Sequence, residues 1–218
     1  HIQSKIALLE LNENSKLCHT SKFYFVGSLW QLWAPLFVGG TVILTTLEEL
    51  QDISLLLDKT IDNDVKILEV IPSQLNNVFA TGQESKLTHL EKLILTGERL
   101  TPNYVNKFFD LNSSIEIINT YGQSECSDVT TYFRMREKIA QGKVLVGKPT
   151  KNTSIFICDE HGNLCNIGET GEICTSGVQV CRGYLKQPEL TAKTFVENPF
   201  DKNSKLYKTG DLGRWSDD

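Results

Sequence analysis

The sequence predicts an α/β fold, a mainly parallel sheet flanked by helices, followed by a small β-rich subdomain. Three observations predict it. Short β-branched or aromatic runs alternate with stretches of helical spacing up to about residue 119, two prolines stand where helices should open, and after about Val144 the texture changes to short strands and glycine-rich turns.

Taken in order, candidate strands fall at residues 23–26, 41–44, 66–71, 92–95 and 115–118. In the intervals Leu29, Trp30, Trp33 and Phe37 recur at helical spacing, as do Ile53, Leu56, Leu57 and Ile61. Strand–helix–strand alternation implies crossover connections and hence parallel pairing. Pro72 and Pro102 suit the first turn of the helices that follow their strands, where a missing N–H costs nothing. Further on, strands are expected at 154–158, 172–176 and 206–209, a turn at 159–163, and one short helix opening at Pro188-Glu189-Leu190-Thr191 and leading to Phe195. The expected division is residues 1–145 for the α/β part and 146–218 for the β-rich part.

With 40% apolar and 22% charged residues among 218, the chain can bury a sizeable core. Its richest apolar stretch, residues 29–44, is broken by Gln31, Pro35 and Gly39-Gly40, short of the ~20 residues that span a bilayer, so no membrane partner is expected. The opening residues carry no secretory signal pattern, which makes a cytoplasmic setting with reduced thiols the expectation. The six cysteines include no C-x-x-C pair, and the cluster Cys158, His161 and Cys165 lacks a fourth zinc ligand. A net charge of −5 with no Lys/Arg stripe argues against a nucleic-acid surface.

The segment from Asn119 to Glu125, Asn-Thr-Tyr-Gly-Gln-Ser-Glu, follows a buried strand and so emerges at a sheet's carboxyl edge, where open α/β sheets bind ligands. A Tyr there can offer its face to a purine, and a Glu supplies a hard oxygen for Mg2+ beside a nucleotide. Read alone, the same residues also suit a strand-to-helix turn in which Asn119 and Ser124 satisfy backbone groups.

Further motifs widen the reading. Asn-x-Tyr-Gly-x-Ser-Glu resembles the adenine- and Mg-binding motif of the acyl-adenylate-forming superfamily. Gly171-Glu172-Ile173-Cys174 through Arg182-Gly183-Tyr184, then Pro188-Glu189-Leu190-Thr191 and Phe195, is similar to that family's next stretch. Tyr207-Lys208-Thr209-Gly210-Asp211-Leu212 resembles its Tyr-Arg-Thr-Gly-Asp-Leu, and Phe25-Val26-Gly27-Ser28-Leu29-Trp30 its Phe-Asp-x-Ser-Val-Trp. The chain is thus identified as similar to the central part of an adenylation domain of nonribosomal peptide synthetases.

The resemblance implies ATP and Mg2+ as cofactors, a small carboxylic acid as substrate, and a carrier-protein domain in the same polypeptide whose phosphopantetheine receives the acyl group. Residue by residue, it implies that Tyr121 stacks on adenine, with Asn119, Gly122 and the loop Gly97-Glu98-Arg99 around it. Asp211 would take the ribose hydroxyls, Glu125 would be the metal ligand, and Glu125 and Ser124 would serve the chemistry. The acid pocket would be lined by Phe25, Val26, Gly27, Trp30, Glu69, Ile94, Thr96, Thr120, Asp128 and Val129. Arg182 and Gly183 could equally form a structural turn. The family's phosphate loop belongs upstream of residue 22 and its C-terminal subdomain, with the catalytic lysine, after residue 218. Neither is found in the chain, so the chain by itself is expected to be inactive.

In relatives that activate α-amino acids, the position of Val26 is an Asp that pairs with the α-ammonium. An ammonium left opposite Val26 would lose its charge partner in a partly desolvated site, at a cost of roughly several kcal/mol. An ordinary α-amino acid is therefore disfavoured. Two substrate readings stay open: a β-amino acid met by Glu69 or Asp128, or an α-keto or α-hydroxy acid facing Val26. Two other functions also stay open, a stand-alone acyl-CoA synthetase and a non-catalytic scaffold module.

Overall fold

The computed structural model describes residues 1–217. An opening helix, α1 (Ile2–Leu9), leads into β1 (Lys16–His19), and α2 (Gly27–Phe37) follows. The first strand is therefore not the aromatic run at 23–26. Phe23 and Tyr24 are 73% and 75% exposed, and the Phe25 N–H donates to the Lys22 carbonyl in a turn that feeds α2. High β propensity marks side chains that suit a half-buried pleated surface. No strand buries these aromatics, whereas Leu17 and Cys18 of β1 are almost wholly buried.

Next come β2 (Thr41–Leu44), α3 (Leu47–Gln51), α4 (Ile53–Asp62), β3 (Ile67–Val70), α5 (Pro72–Ala80), β4 (Lys92–Thr96), α6 (Pro102–Leu111) and β5 (Glu116–Tyr121). Pro72 and Pro102 each open their helix, as their missing N–H predicts. Helix α3 starts at a capping box in which Thr46 Oγ1 accepts the Glu49 N–H and Glu49 Oε2 accepts the Thr46 N–H. The strands order as β2-β1-β3-β4-β5, all parallel, and β6 (Thr131–Met135) returns antiparallel to β5 before the two-residue β7 (Lys148–Pro149).

Both faces of this sheet are covered. Leu68, Val70, Leu93, Leu95 and Ile117 pack with Leu57 of α4, Leu75 of α5 and Phe108 of α6. On the opposite face Ile67, Ile94 and Ile118 pack with Leu8 and Leu9 of α1 and Trp30 and Ala34 of α2. Burial of each such side chain contributes about 1.5–3 kcal/mol, and helices this short depend on it rather than on propensity.

The chain forms two compact units, His1–Tyr121 with Thr131–Lys148, and Gly122–Thr130 with the residues from Pro149 onward. The second unit adds β8 (Thr153–Cys158), β9 (Gly171–Gly177), α7 (Pro188–Thr194), β10 (Phe195–Glu197) and β11 (Lys205–Gly213), an antiparallel sheet ordered β10-β11-β9-β8. The turn after β8 is tied by Asp159, whose carboxylate accepts the N–H groups of His161 and Asn163. Among the described residues no helix is long and apolar enough to cross a membrane, and no group of three or more His, Cys, Asp or Glu could hold a metal. The six cysteines are free thiols.

Candidate functional site

The first unit carries eight of the ten residues expected to line the acid pocket, and the other two, Asp128 and Val129, belong to the second. Strand side chains alternate between faces. The register pairs Glu69 with Ile94, Ile94 with Ile118, and Thr96 with Thr120. Trp30 packs in one cluster with Ile94 and Ile118. Trp30, Glu69, Ile94, Thr96 and Thr120 therefore share one sheet face. Val26 stands half-buried as the N-cap of α2, Gly27 is buried as its first residue, and Phe25 is exposed in the preceding turn. Glu69 is buried, and its charge is matched within the protein: Gln31 Nε2 donates to Oε2 at 2.7 Å, and Lys5 Nζ lies 3.6 Å from Oε1.

Alternation along β5 puts Asn119 and Tyr121 on the face opposite Thr120. Asn119 is buried and its Nδ2 donates to the Leu145 carbonyl at 2.7 Å, so it ties down the chain that follows β6. Tyr121 is half-buried at the end of its strand. Gly97, Glu98 and Arg99 form an exposed loop after β4. The Glu98 carboxylate accepts the Ser73 N–H and hydroxyl at 2.8 and 2.6 Å, placing an anion where the helix dipole of α5 favours one.

The second unit holds the loop Gly122–Thr130. A Cβ on Gly122 would lie 1.9 Å from the Asp128 carbonyl oxygen, so only glycine lets the loop close on itself. Ser127 and Asp128 adopt φ of 59° and 96°, and Val129 and Cys126 are buried beneath. The loop is anchored by its backbone: the Glu125 carbonyl accepts the Cys181 N–H at 2.8 Å and the Thr130 carbonyl accepts the Thr150 N–H at 2.8 Å. Ser127 Oγ donates to the Gln179 carbonyl at 2.9 Å. Ser124, exposed, and Glu125 sit in the short 3-10 turn that results.

Tyr184 then fixes the Glu125 side chain, its hydroxyl donating to Oε1 at 2.8 Å. Burial first, and then the neighbouring Glu125 carboxylate, push the Tyr184 hydroxyl above the usual phenol range, so it remains a donor through neutral pH. The same causes raise Tyr207. Burial pushes the Cys126 thiol up to about 12, which makes it a packing residue rather than a nucleophile. Tyr184 is itself aimed by its neighbours. Gly183 has φ of +144° and lies so close to Thr191 that a Cβ would meet Thr191 Cγ2 at 2.2 Å, while Thr191 Oγ1 accepts the Tyr184 N–H at 2.9 Å. Arg-Gly-Tyr and Pro-Glu-Leu-Thr are thus two halves of one device.

Asp211 is exposed on an irregularity of β11, where the register with β9 shifts between Lys208 and Leu212. The bend is pinned by Glu172, whose Oε1 accepts the Gly210 N–H at 2.9 Å, and by Thr209 Oγ1, which accepts the Asp211 N–H at 3.0 Å. Gln123 Nε2 donates to Asp211 Oδ2 at 3.2 Å. Sequence reasoning missed Tyr184 and Gln123. Tyr184 was visible as the last residue of Arg-Gly-Tyr, but Gln123 occupies the motif's variable position and gives no signal.

A family model described as AMP-binding enzyme matches residues 2–185. Gramicidin S synthase 2 of Aneurinibacillus migulanus is 35% identical over 196 residues, which cover 90% of this chain and 4% of that protein. The chain therefore spans a small part of the curated relatives it matches. Among solved structures, the Vibrio cholerae adenylation domain AlmE in complex with glycyl-adenosine-5'-phosphate has a TM-score of 0.87 at 20% identity, over 99% of this chain and 41% of that one. NpsA-ThdA of Klebsiella oxytoca, an artificially fused adenylation-PCP di-domain, has a TM-score of 0.84 at 22% identity, over 96% and 39%. Both likenesses concern the fold.

Proposed function

The chain belongs to the AMP-binding enzyme family, and on that premise we propose that its parent protein activates a carboxylic acid with ATP. The acid's carboxylate oxygen attacks the α-phosphorus and pyrophosphate leaves, and the thiol of a phosphopantetheine on a carrier domain in the same polypeptide then attacks the acyl carbon, forming the thioester and releasing AMP. The observation that carries this reading is the rigid presentation of two carboxylates on the second unit, Glu125 held by Tyr184 and Asp211 held by Gln123 and its pinned bend. Asp211 would accept both ribose hydroxyls, and Tyr121 would offer its ring to adenine. Positioning and charge stabilisation then do the chemistry, with no side-chain nucleophile.

Mg2+ fits this residue set. It is commonly held by one or two protein carboxylates plus substrate phosphates, and Glu125 on its anchored turn supplies such a ligand without a cage of further acids among the described residues. When bound, the ion supplies charge neutralisation at the phosphates. The carrier partner is supported by the likeness to an adenylation-PCP di-domain.

For the acid, Val26 at the mouth of α2 leaves an α-ammonium without a counter-charge. Glu69, already matched by Lys5 and Gln31, supports an acid with no amino group more than it supports a β-amino acid. An α-keto or α-hydroxy acid is accordingly the favoured substrate. The test is ATP–pyrophosphate exchange by the full-length protein with α-keto, α-hydroxy, β-amino and proteinogenic α-amino acids. Exchange should be strongest with the first two classes, and Glu125→Gln should lower it by about 100-fold or more while acid binding stays within a few-fold. Strong turnover of a proteinogenic α-amino acid would end the substrate reading, and survival of exchange in Glu125→Gln at saturating Mg2+ would end the metal assignment.

A further inference from the structure

Helix α2 is apolar on every side. Trp30 and Ala34 face the sheet, yet on the opposite side Leu29, Trp33, Leu36 and Phe37 recur at helical spacing and stand 50–71% exposed. A surface helix carries polar or charged residues outward, whereas one that is apolar all round belongs in an interior. On the other face of the sheet α6 obeys that rule, turning Asn103, Lys107 and Asp110 to solvent. Residues 23–47 contain no Asp, Glu, Lys, Arg or His, so no charged side chain of this segment meets water. The apolar exposure continues in Leu44 of β2 and Leu47 of α3. Strand β2, which packs beside α2, makes the same point by a different route. It is the outermost strand of the first sheet, so its outer side leaves N–H and C=O groups without a neighbouring strand. Edge strands that stay exposed are protected by charge, proline or a bulge, and Thr41-Val42-Ile43-Leu44, in unbroken register with β1, has none of these.

We propose that the polypeptide preceding His1 in the parent protein folds back over this surface, covering the outer face of α2 and the open edge of β2 as part of the same compact body. Three observations name that occupant. The N-terminal subdomain of Klebsiella oxytoca NpsA shares this fold over 97% of the chain at a TM-score of 0.83 and 21% identity, and the chain spans 52% of it. Nearly half of that body thus lies outside the shared part. Ile2 and Ile6 of α1 pack onto the cluster of Trp30 and Ala34, so the polypeptide reaches the sheet on the α2 side, while the residues from Pro149 onward belong to the second unit. Finally, a face this uniformly apolar suits a permanent partner, because interfaces that form and dissolve keep more polar surface. A covering segment in the same chain is such a partner, present at high effective concentration without any specific polar anchor. This covering goes beyond the adenylation reading and does not depend on which acid is activated.

The test uses the full-length protein in two ways. In hydroxyl-radical footprinting, Trp33 and Phe37 should lose their reactivity on folding, Trp33 falling to the level of Trp30, which is buried against the sheet. A photo-cross-linking amino acid placed at Phe37, and separately at Leu44, should join both positions to peptides that precede His1. Mixing isotopically light and heavy protein tells the source of each peptide, and every product should belong to a single mass class, as joining within one molecule requires. Mixed-mass products, which mean a second copy, overturn the proposal. So do cross-links to the carrier domain or to any segment after residue 218, the absence of cross-links from both positions, and a Trp33 that reacts as fast in the folded protein as in urea. Should the variant at one position fail to fold, the other position and the footprint of the unaltered protein still decide. Pyrophosphate exchange is read separately, so loss of the adenylation reading leaves this result standing, and the reverse holds as well.

Discussion

Tyr184 holds the side chain on which the proposed metal chemistry depends, through a single hydroxyl 2.8 Å from Glu125 Oε1. Removing that hydroxyl leaves the ring, packed against Phe195, in place and frees the carboxylate to rotate. A hydrogen bond to a charged group contributes about 1.5–3 kcal/mol, so Tyr184→Phe should lower kcat by about tenfold or somewhat more and leave KM for ATP within a few-fold. Steady-state exchange kinetics on the full-length protein check it, and an unchanged kcat would show that the backbone anchor at Cys181 alone positions Glu125. Asn119 illustrates the opposite case. Its place in a nucleotide motif suggests a ligand contact, yet its amide donates to the Leu145 carbonyl, and its visible work is to fasten the chain after β6 to the sheet.

At the scale of elements, the loop Gly122–Thr130 is closed by contact rather than by sequence propensity. Gly122→Ala would force a methyl group into the Asp128 carbonyl, and the loop would have to open by more than an ångström. Such overpacking costs about 1–3 kcal/mol, with the larger effect on catalysis because Glu125 moves with the loop. Exchange activity should fall at least tenfold with a modest fall in melting temperature, and full activity would show that the loop opens without cost. The helices, the parallel sheet and the antiparallel subdomain were legible because hydrophobic periodicity and proline placement are local signals. Residues 2–9 and 16–19 were not: α1 has no side-chain cap, and β1 is four residues long, flanked by lysine and polar residues. The run Phe23-Tyr24-Phe25 carried the stronger local strand signal, but strand formation is decided by which neighbour buries the residues. The residues expected to line the acid pocket rest on motif resemblance alone, because no periodic signal marks them. The Lys5–Glu69 pair was not legible at all, since pairing across distant elements leaves no periodic trace.

For the molecule as a whole, Glu116 is the charged group most firmly built into the first sheet. Burial alone would raise its carboxyl, but hydrogen bonds from Arg134 and Arg136, reinforced by their charges, outweigh that and hold it below the usual carboxylate range. A carboxyl depressed in the folded state stabilises the fold above the unfolded value of about 4.3, and that contribution is lost as pH falls through the folded value. Arg136 is largely exposed and screened, so Arg134 carries most of the effect. Glu116→Gln should therefore cost about 1–3 kcal/mol at pH 7, and the difference should shrink toward zero below about pH 4. Urea unfolding at the two pH values checks both the size and the sign, and a pH-independent difference would mean that packing, not charge, is lost. The two compact units are threaded through one another in sequence, the chain leaving the first at Tyr121, returning at Thr131 and leaving again after Lys148. That threading has a consequence in time. Glu125 is made 59 residues before the Tyr184 that orients it, an interval of roughly 3–12 s at about 5–20 residues per second. Throughout it the first sheet can assemble while the loop proposed to hold the metal lacks the residues that orient it. The orientation of Glu125 on which the proposed chemistry depends is thus acquired after the sheet of the first unit can already exist.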